Sequence, residues 1–191
     1  KRHGPLRWAF SLAANMIEQF FTEMSRFVPK EARIMMCAFR GDPADDTPSK
    51  WRARVMRDPT QIDDAANIYF CVSAMQRNER GEFRRRKENF AGGLLLMVDD
   101  IGTGPGSKQP MDILEKLKPT ALVETSPDNF QAIYMFDRLE TDEAKFDALI
   151  RAFIHGCLLS PTNSGMDGIN RVFRPPAGVN GKAKYGGWTV R

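Results

Sequence analysis

The sequence predicts an α+β fold in which a mixed or antiparallel sheet is covered by helices. Apolar side chains recur every fourth residue near the start of the chain, which is typical of an amphipathic helix. Six later runs of apolar, β-branched and aromatic residues are typical of strands. These runs do not alternate strictly with helices, as a parallel βαβ sheet would require.

A first helix is predicted over residues 7–27, with one apolar face formed by Trp8, Leu12, Met16, Phe20 and Met24. Strands are predicted over residues 32–39, 67–75, 93–100, 120–126, 130–136 and 169–173. A short helix is predicted over 111–118, and a longer one from Thr141, which can cap it, to about Cys157. Loops rich in Gly, Pro and Asp separate these elements.

Composition limits the class of protein. The chain has 191 residues, of which 42% are hydrophobic, so a single domain over residues 1–191 is expected. It begins with Lys1 and not with Met, so we expect it to be a piece of a longer protein. The net charge of +4 permits a nucleic-acid partner without establishing one. Three widely spaced cysteines predict reduced thiols in the cytoplasm, and no apolar run is long enough to span a bilayer.

The segment GGLLLMVDDIG ends an apolar run in two adjacent carboxylates, Asp99 and Asp100. At ~4 Å, two such charges repel by about 4 kcal/mol at an effective dielectric constant of 20. A divalent cation would offset this repulsion, and a solvated turn is the simpler alternative. Because successive strand residues point to opposite faces, we expect both side chains to serve one site only if the strand ends here.

Two later segments carry further candidates. In TSPDNFQA, Ser126 and Gln131 bracket a tight turn, where they either face a phosphate or form an ordinary hairpin. In GMDGINRVFRPPAGVNGK, the acid Asp167 precedes three cations, Arg171, Arg174 and Lys182. An acid for a metal beside fixed cations for phosphate is what a nucleoside triphosphate requires, and a charged surface loop is the alternative.

Residues 76–90 are strongly basic. Arg84, Arg85, Arg86 and Lys87 lie together there, and they either contact nucleic-acid phosphates or form a solvated loop.

Several other chemistries are excluded. The segment GTGPGSK does not have the spacing of an ATP-binding phosphate loop, and the chain has no H-x-H metal pair.

Taken in order, these segments resemble the archaeo-eukaryotic primase superfamily, and most closely its RepB-like plasmid and phage primases and primase-polymerases. The resemblance covers residues 67–182. Its motifs are LLLMVDD, TSPDNFQA, and GMDGINRVF followed by RPPAGVNGK, in which the family spacing is matched by Arg174, Pro176, Asn180 and Lys182. Two positions depart from the family pattern: Gln131 stands where many relatives have histidine, and Ala177 replaces a turn glycine.

The resemblance implies a primase catalytic core, in which an RNA-recognition-like unit packs against an N-terminal α/β unit. It implies template-dependent nucleotidyl transfer on single-stranded DNA, for primer synthesis or DNA polymerisation in mobile-element replication. Two Mg²⁺ or Mn²⁺ ions would be held by Asp99, Asp100 and Asp167. The triphosphate of an NTP or dNTP would be held by Ser126, Gln131, Arg171, Arg174 and Lys182.

The same resemblance implies that Arg84, Arg85, Arg86 and Lys87 contact the template or the nucleotide. A replicative helicase, fused or separate, is the expected protein partner, and no membrane is expected. Two other functions stay open on the sequence. One is a non-catalytic module that binds single-stranded or origin DNA, motivated by Gln131, and the other is a metal-dependent nuclease that uses the same acids.

Overall fold

The computed structural model of the chain describes residues 13–45, 49–157 and 168–191, and the predicted α+β class is confirmed. The helices are α1 Ala13–Ser25, α2 Ile113–Lys116 and α3 Glu143–Cys157. The strands are β1 Arg33–Phe39, β2 Arg54–Val55, β3 Asn67–Met75, β4 Phe90–Gly102, β5 Ala121–Ser126, β6 Asn129–Glu140, β7 Val172–Phe173, β8 Val179–Asn180 and β9 Trp188–Thr189. In the described part of the chain, no helix is long and apolar enough to cross a membrane.

The main sheet has seven strands in the order β2-β1-β3-β4-β6-β5, and β7 also pairs with β3. Its strand pairs are antiparallel. Strands β8 and β9 form a separate antiparallel pair. The sequence predicted a mixed or an antiparallel sheet, and the named strands pair in the antiparallel way.

Most predicted elements are present with shifted ends. The strand predicted over 67–75 is β3, whereas the strand predicted over 93–100 extends in both directions as β4. The strand predicted over 169–173 is reduced to the two residues of β7. The predicted cap at Thr141 is wrong, because the Asp142 carboxylate accepts the Lys145 backbone N–H at 3.0 Å. Residues 7–12 of the first predicted helix lie outside the described residues.

Helices pack on the sheet through aromatic side chains. The Phe20 ring of α1 lies 6.0 Å from the Phe173 ring of β7. On α3, Phe146 packs so closely on β4 that a Cβ at Gly93 would lie 2.5 Å from its ring. Gly93 is therefore a packing requirement of the helix that covers the strand, whereas a Cβ at Gly92 would meet Leu139 of β6.

Strand β7 separates the neighbouring strands β3 and β4. Gly93 of β4 pairs with Ser73 near the end of β3. Nearer the start of β3, Phe70 pairs instead with Phe173 of β7, while β4 continues beside β6. The chain that leaves β7 therefore enters the space between β3 and the far end of β4. This is where the candidate site lies.

Candidate active site

Asp99 and Asp100 lie in a β-bulge within β4. The pairing of β4 with β6 shifts here, so that these two residues oppose the single residue Gln131. Asp100 has φ +56°, in the left-handed region that few non-glycine residues adopt. A bulge re-aims the side chains of a strand, and both aspartates line one cleft. The expectation that the strand must end at this point was wrong, since β4 continues to Gly102.

This cleft has a volume of about 480 Å³ and collects most of the residues predicted for the site. The predicted residues that line it are Asp99, Asp100, Ser126, Gln131, Arg171, Arg174, Lys182 and Arg85. Asp167 lies outside the described residues. Two carboxylates and four cations therefore face one cavity, although they come from separate segments of the chain.

The Asp99 carboxylate is enclosed by hydrogen-bond donors. Its Oδ1 accepts the backbone N–H of Asp100 at 2.9 Å, and the side-chain amide of Gln131 also donates to it. Burial, and then the charge of Asp100, raise the pKa of Asp99 above its usual value, although these donors and the charge of Lys182 oppose the shift. An additional cation at this carboxylate would therefore be stabilising.

The Asp100 carboxylate is paired with Lys108, whose Nζ lies 2.9 Å from Oδ2. The backbone holds this lysine in place, because the N–H groups of Lys108 and Gln109 donate to the Asp100 carbonyl at 2.7 and 2.9 Å. The Lys108 side chain is nevertheless 47% exposed. A partly exposed cation thus neutralises one of the two carboxylates.

The chain after β4 is pressed against the β5–β6 turn. The backbone N–H groups of Thr103 and Gly104 both donate to the Asp128 carbonyl. A Cβ at Gly102 or Gly104 would lie 2.1 Å from a carbonyl oxygen of that turn, so only glycine permits this approach. The contact places the turn that follows Ser126 next to the aspartate bulge.

Arg174 is 5% exposed and immobilised by the protein around it. Its Nη1 donates to the Val179 carbonyl at 2.8 Å, and its Nη2 donates to the side-chain oxygens of Asn67 and Asn180 and to the Tyr69 hydroxyl. All four acceptors are neutral. Burial lowers the pKa of Arg174, whereas the charge of nearby Asp99 opposes that shift. An anion in the cleft would stabilise this buried cation.

The remaining predicted nucleotide residues differ in burial. Ser126 is buried and hydrogen-bonds to the Tyr185 side chain, whose hydroxyl donates to the Pro105 carbonyl at 3.0 Å. Arg171 and Lys182 are exposed where they line the cleft. The two exposed cations therefore present their charges at the open side of the cleft, whereas Ser126 is held by a buried contact.

The four basic residues predicted to contact DNA separate in the structure. Arg85 is the one that lines the cleft among the described residues, and its Nη1 donates to the Asn170 carbonyl at 2.9 Å. Arg84 forms an ion pair with a glutamate at 3.0 Å, and Arg86 forms one at 3.5 Å. Lys87 is exposed on a short 3₁₀ turn. The charge of two of these residues is thus already partly neutralised.

Sequence reasoning missed Asn67 and Tyr69, at the start of β3. The Asn67 Oδ1 accepts from Arg174 and, at 2.8 Å, from the Gly181 backbone N–H. The Arg174 guanidinium lies 4.3 Å from the centre of the Tyr69 ring. The sequence did contain a signal for this pair. The apolar run NIYFCVSAM begins with a polar residue, and a tyrosine follows two positions later on the same face of the strand.

The aspartate bulge fits a divalent metal ion. Its ligands would be carboxylate oxygens, which Mg²⁺ and Mn²⁺ prefer, and the raised pKa of Asp99 reflects burial and a neighbouring negative charge. Within residues 13–45, 49–157 and 168–191, no cluster of three or more His, Cys, Asp or Glu side chains is arranged to hold a metal. Asp99 and Asp100 would therefore supply two ligands, and a third acid would have to come from elsewhere.

The fold is that of primase catalytic domains. The archaeo-eukaryotic primase domain of the cyanophage S-2L primase-polymerase aligns with a TM-score of 0.59 and 13% identity, covering 93% of this chain and 87% of that one. The catalytic domain of primase RepB', solved in complex with initiator DNA, aligns with a TM-score of 0.56 and 16% identity, covering 95% and 84%. Identities this low establish the fold alone.

Residues 54–185 match the RepB DNA-primase N-terminal domain, and the chain belongs to this family. The match spans more than half of the chain and includes the aspartate bulge, the β5–β6 turn and Arg174. No curated protein sequence matches the chain significantly. The resemblance predicted from the sequence is confirmed.

Proposed function

We propose that the chain catalyses template-dependent nucleotidyl transfer on single-stranded DNA, for primer synthesis or DNA polymerisation. The observation that carries this proposal is the cleft, in which the adjacent carboxylates Asp99 and Asp100 face the buried cation Arg174. Family membership and the two structural neighbours support the same class of activity. The neighbour RepB' was solved with initiator DNA, which supports DNA as a ligand here.

Asp99 and Asp100 would hold divalent cations, together with Asp167. When bound, such ions activate the attacking 3′-hydroxyl and stabilise the pyrophosphate that leaves. The protein's own part is positional. The bulge presents two adjacent carboxylates to one cavity, and the hydrogen bonds to Asp99 hold that carboxylate in place before a substrate arrives.

The cations of the cleft would bind the triphosphate. Arg174 provides an immobile positive charge, because four neutral acceptors fix its guanidinium. Arg171 and Lys182 are exposed in the cleft and would bind the phosphates from its open side. The buried cation would set the position of the positive charge, and the two exposed cations would add affinity.

Arg85 would contact the template strand or the nucleotide. It lies in the cleft and belongs to the basic segment 76–90. Phosphate contacts of this kind bind single strands without regard to sequence and weaken as salt is added. The other cations of the segment would act mainly through the local positive potential.

The test is nucleotide incorporation on a single-stranded DNA template with Mg²⁺ or Mn²⁺. Loss of a residue that only orients a metal ligand typically costs about 10–100-fold in activity. Asp100→Asn should reduce incorporation by more than this, because it would remove a ligand itself. Asp112→Asn is the matched control, because Asp112 is also an acid paired with a lysine, at 3.0 Å, but lies outside the cleft. It should leave incorporation unchanged.

The outcomes separate the candidate functions. Full incorporation by a folded Asp100→Asn protein would show that Asp100 is not a required metal ligand. Salt-sensitive DNA binding by the wild-type chain with no incorporation at any metal concentration would instead identify a binding module. Cleavage of single-stranded DNA without nucleotide consumption would identify a nuclease.

A further inference from the structure

We propose that Gln131 is a positioning residue, which supports the reaction by holding Asp99 in place and does not bind the triphosphate. This inference rests on the proposed function. It changes the role that the family resemblance implies for this position, where many relatives have histidine.

Both ends of the Gln131 side chain are already bound by the protein. Its Oε1 accepts the backbone N–H of Arg174 at 2.9 Å. Its amide group donates to the Asp99 carboxylate. The side chain therefore bridges β4, which carries Asp99, and the segment after β7, which carries Arg174.

Burial separates Gln131 from two of the other predicted triphosphate residues, Arg171 and Lys182, whereas Ser126 and Arg174 are as buried as Gln131. Gln131 is only 3% exposed, whereas Arg171 and Lys182 are exposed. A phosphate contact would require it to break one of two buried hydrogen bonds. Breaking such a bond leaves a buried polar group without a partner, which is costly.

The register of the sheet gives Gln131 a role that no neighbouring residue can take. It is the single β6 residue opposite the two bulged aspartates. Because the bulge interrupts the regular backbone pairing of β4 with β6 at this point, a side chain supplies the link between the strands. Asp99 is thus positioned relative to Arg174 by one glutamine.

The experiment compares metal binding and nucleotide binding as separate quantities. Mn²⁺ affinity is measured by the electron paramagnetic resonance signal of free Mn²⁺, with no nucleotide present. The affinity for a nucleoside triphosphate is measured by calorimetry in EDTA, with no metal present. Gln131→Met keeps the size of the side chain and removes both hydrogen bonds, and Gln131→His keeps one ring donor and one ring acceptor.

We expect Gln131→Met to weaken Mn²⁺ binding by about 10-fold or more, as loss of an outer-shell partner does. Metal-free nucleotide affinity should stay within about two-fold of wild type, because no phosphate contact is lost. In incorporation assays kcat should fall while KM for the nucleotide stays constant. Gln131→His should retain Mn²⁺ affinity within about three-fold, because its N–H can still hold the carboxylate.

Tyr134→Phe is the matched control for a purely structural effect. Tyr134 lies on the same strand, outside the cleft, and its hydroxyl donates to the Leu117 carbonyl at 2.8 Å. Its loss should lower the thermal midpoint without changing Mn²⁺ affinity. If Gln131→Met lowers the midpoint and likewise leaves Mn²⁺ affinity unchanged, Gln131 is structural and the proposal is overturned.

Other outcomes are equally decisive. A loss of metal-free nucleotide affinity in either Gln131 variant would make Gln131 a triphosphate ligand and overturn the proposal. If Gln131→Met does not fold, retention of Mn²⁺ affinity by Gln131→His supports it and loss overturns it. A wild-type chain that binds neither Mn²⁺ nor nucleotide contradicts the proposed function itself, whereas a wild-type chain that binds both leaves only the inference at risk.

Discussion

Replacement of Lys108 tests whether a lysine competes with the metal for the aspartate bulge. In the structure its Nζ lies 2.9 Å from Asp100 Oδ2, so an ion at this carboxylate must displace it. Lys108→Met removes the competing charge and keeps an apolar stem of similar length. We expect the variant to bind Mn²⁺ more tightly than the wild type and to be slightly less stable without metal.

The magnitude follows from the geometry of the pair. At 2.9 Å the Coulomb attraction is ~1.4 kcal/mol in water and ~6 kcal/mol at an effective dielectric constant of 20. Because the Lys108 side chain is 47% exposed and that of Asp100 25% exposed, desolvation and side-chain entropy offset most of it. The net value is about 0.5–1 kcal/mol, as for exposed pairs. This corresponds to an increase in Mn²⁺ affinity of about two- to five-fold.

The assay measures the thermal midpoint as Mn²⁺ is added, since a ligand that binds the folded state stabilises it in proportion to the logarithm of its affinity. Lys116→Met is the control, because it removes an ion pair of 3.0 Å on the surface of α2. Its midpoint should shift with Mn²⁺ as that of the wild type does. Identical Mn²⁺ shifts for the two variants would refute the reasoning.

Three further predictions concern packing, reactivity and DNA binding. Gly93→Ala should destabilise the fold by about 1–3 kcal/mol in urea unfolding, because its Cβ would overlap the Phe146 ring, and an unchanged midpoint would contradict the packing described. Burial raises the pKa of the Cys71 thiol to about 12, so Cys71 should resist thiol reagents at pH 8 until the chain is unfolded, as mass spectrometry can follow. Single-stranded DNA affinity can be plotted as log K against the logarithm of salt concentration. Arg85→Gln should reduce the magnitude of that slope by about 1. Arg84→Gln should change the slope little, because Arg84 is already ion-paired.

Much of the fold was predictable because its signals are local. The apolar run of β3 and the periodicity of α1 depend on neighbouring residues. Strand β3 has its predicted bounds, and α1 ends two residues before its predicted end. The predicted cap at Thr141 failed for an equally local reason. Asp142, the next residue, is also a good cap, and the sequence pattern does not say which of the two begins the helix.

The candidate site was predictable as a set of residues and not as an arrangement. The order of the motifs indicated Asp99, Asp100, Ser126, Gln131, Arg171, Arg174 and Lys182, all of which line one cleft. Their roles as ligands stay predictions. The pairing of Arg84 and Arg86 with nearby glutamates was not apparent, because a run of charges does not show which side chains will meet.

By itself, the sequence determined the fold class, the family and the chemical types of the site residues, since these depend on composition, periodicity and motif order. Only the tertiary structure decided how two adjacent aspartates reach one cavity. They do so because β4 forms a bulge opposite Gln131, a residue more than thirty positions away. The partners Lys108 and Tyr69 likewise became visible only in three dimensions. Side-chain direction in a sheet depends on register between distant strands, which no local pattern records.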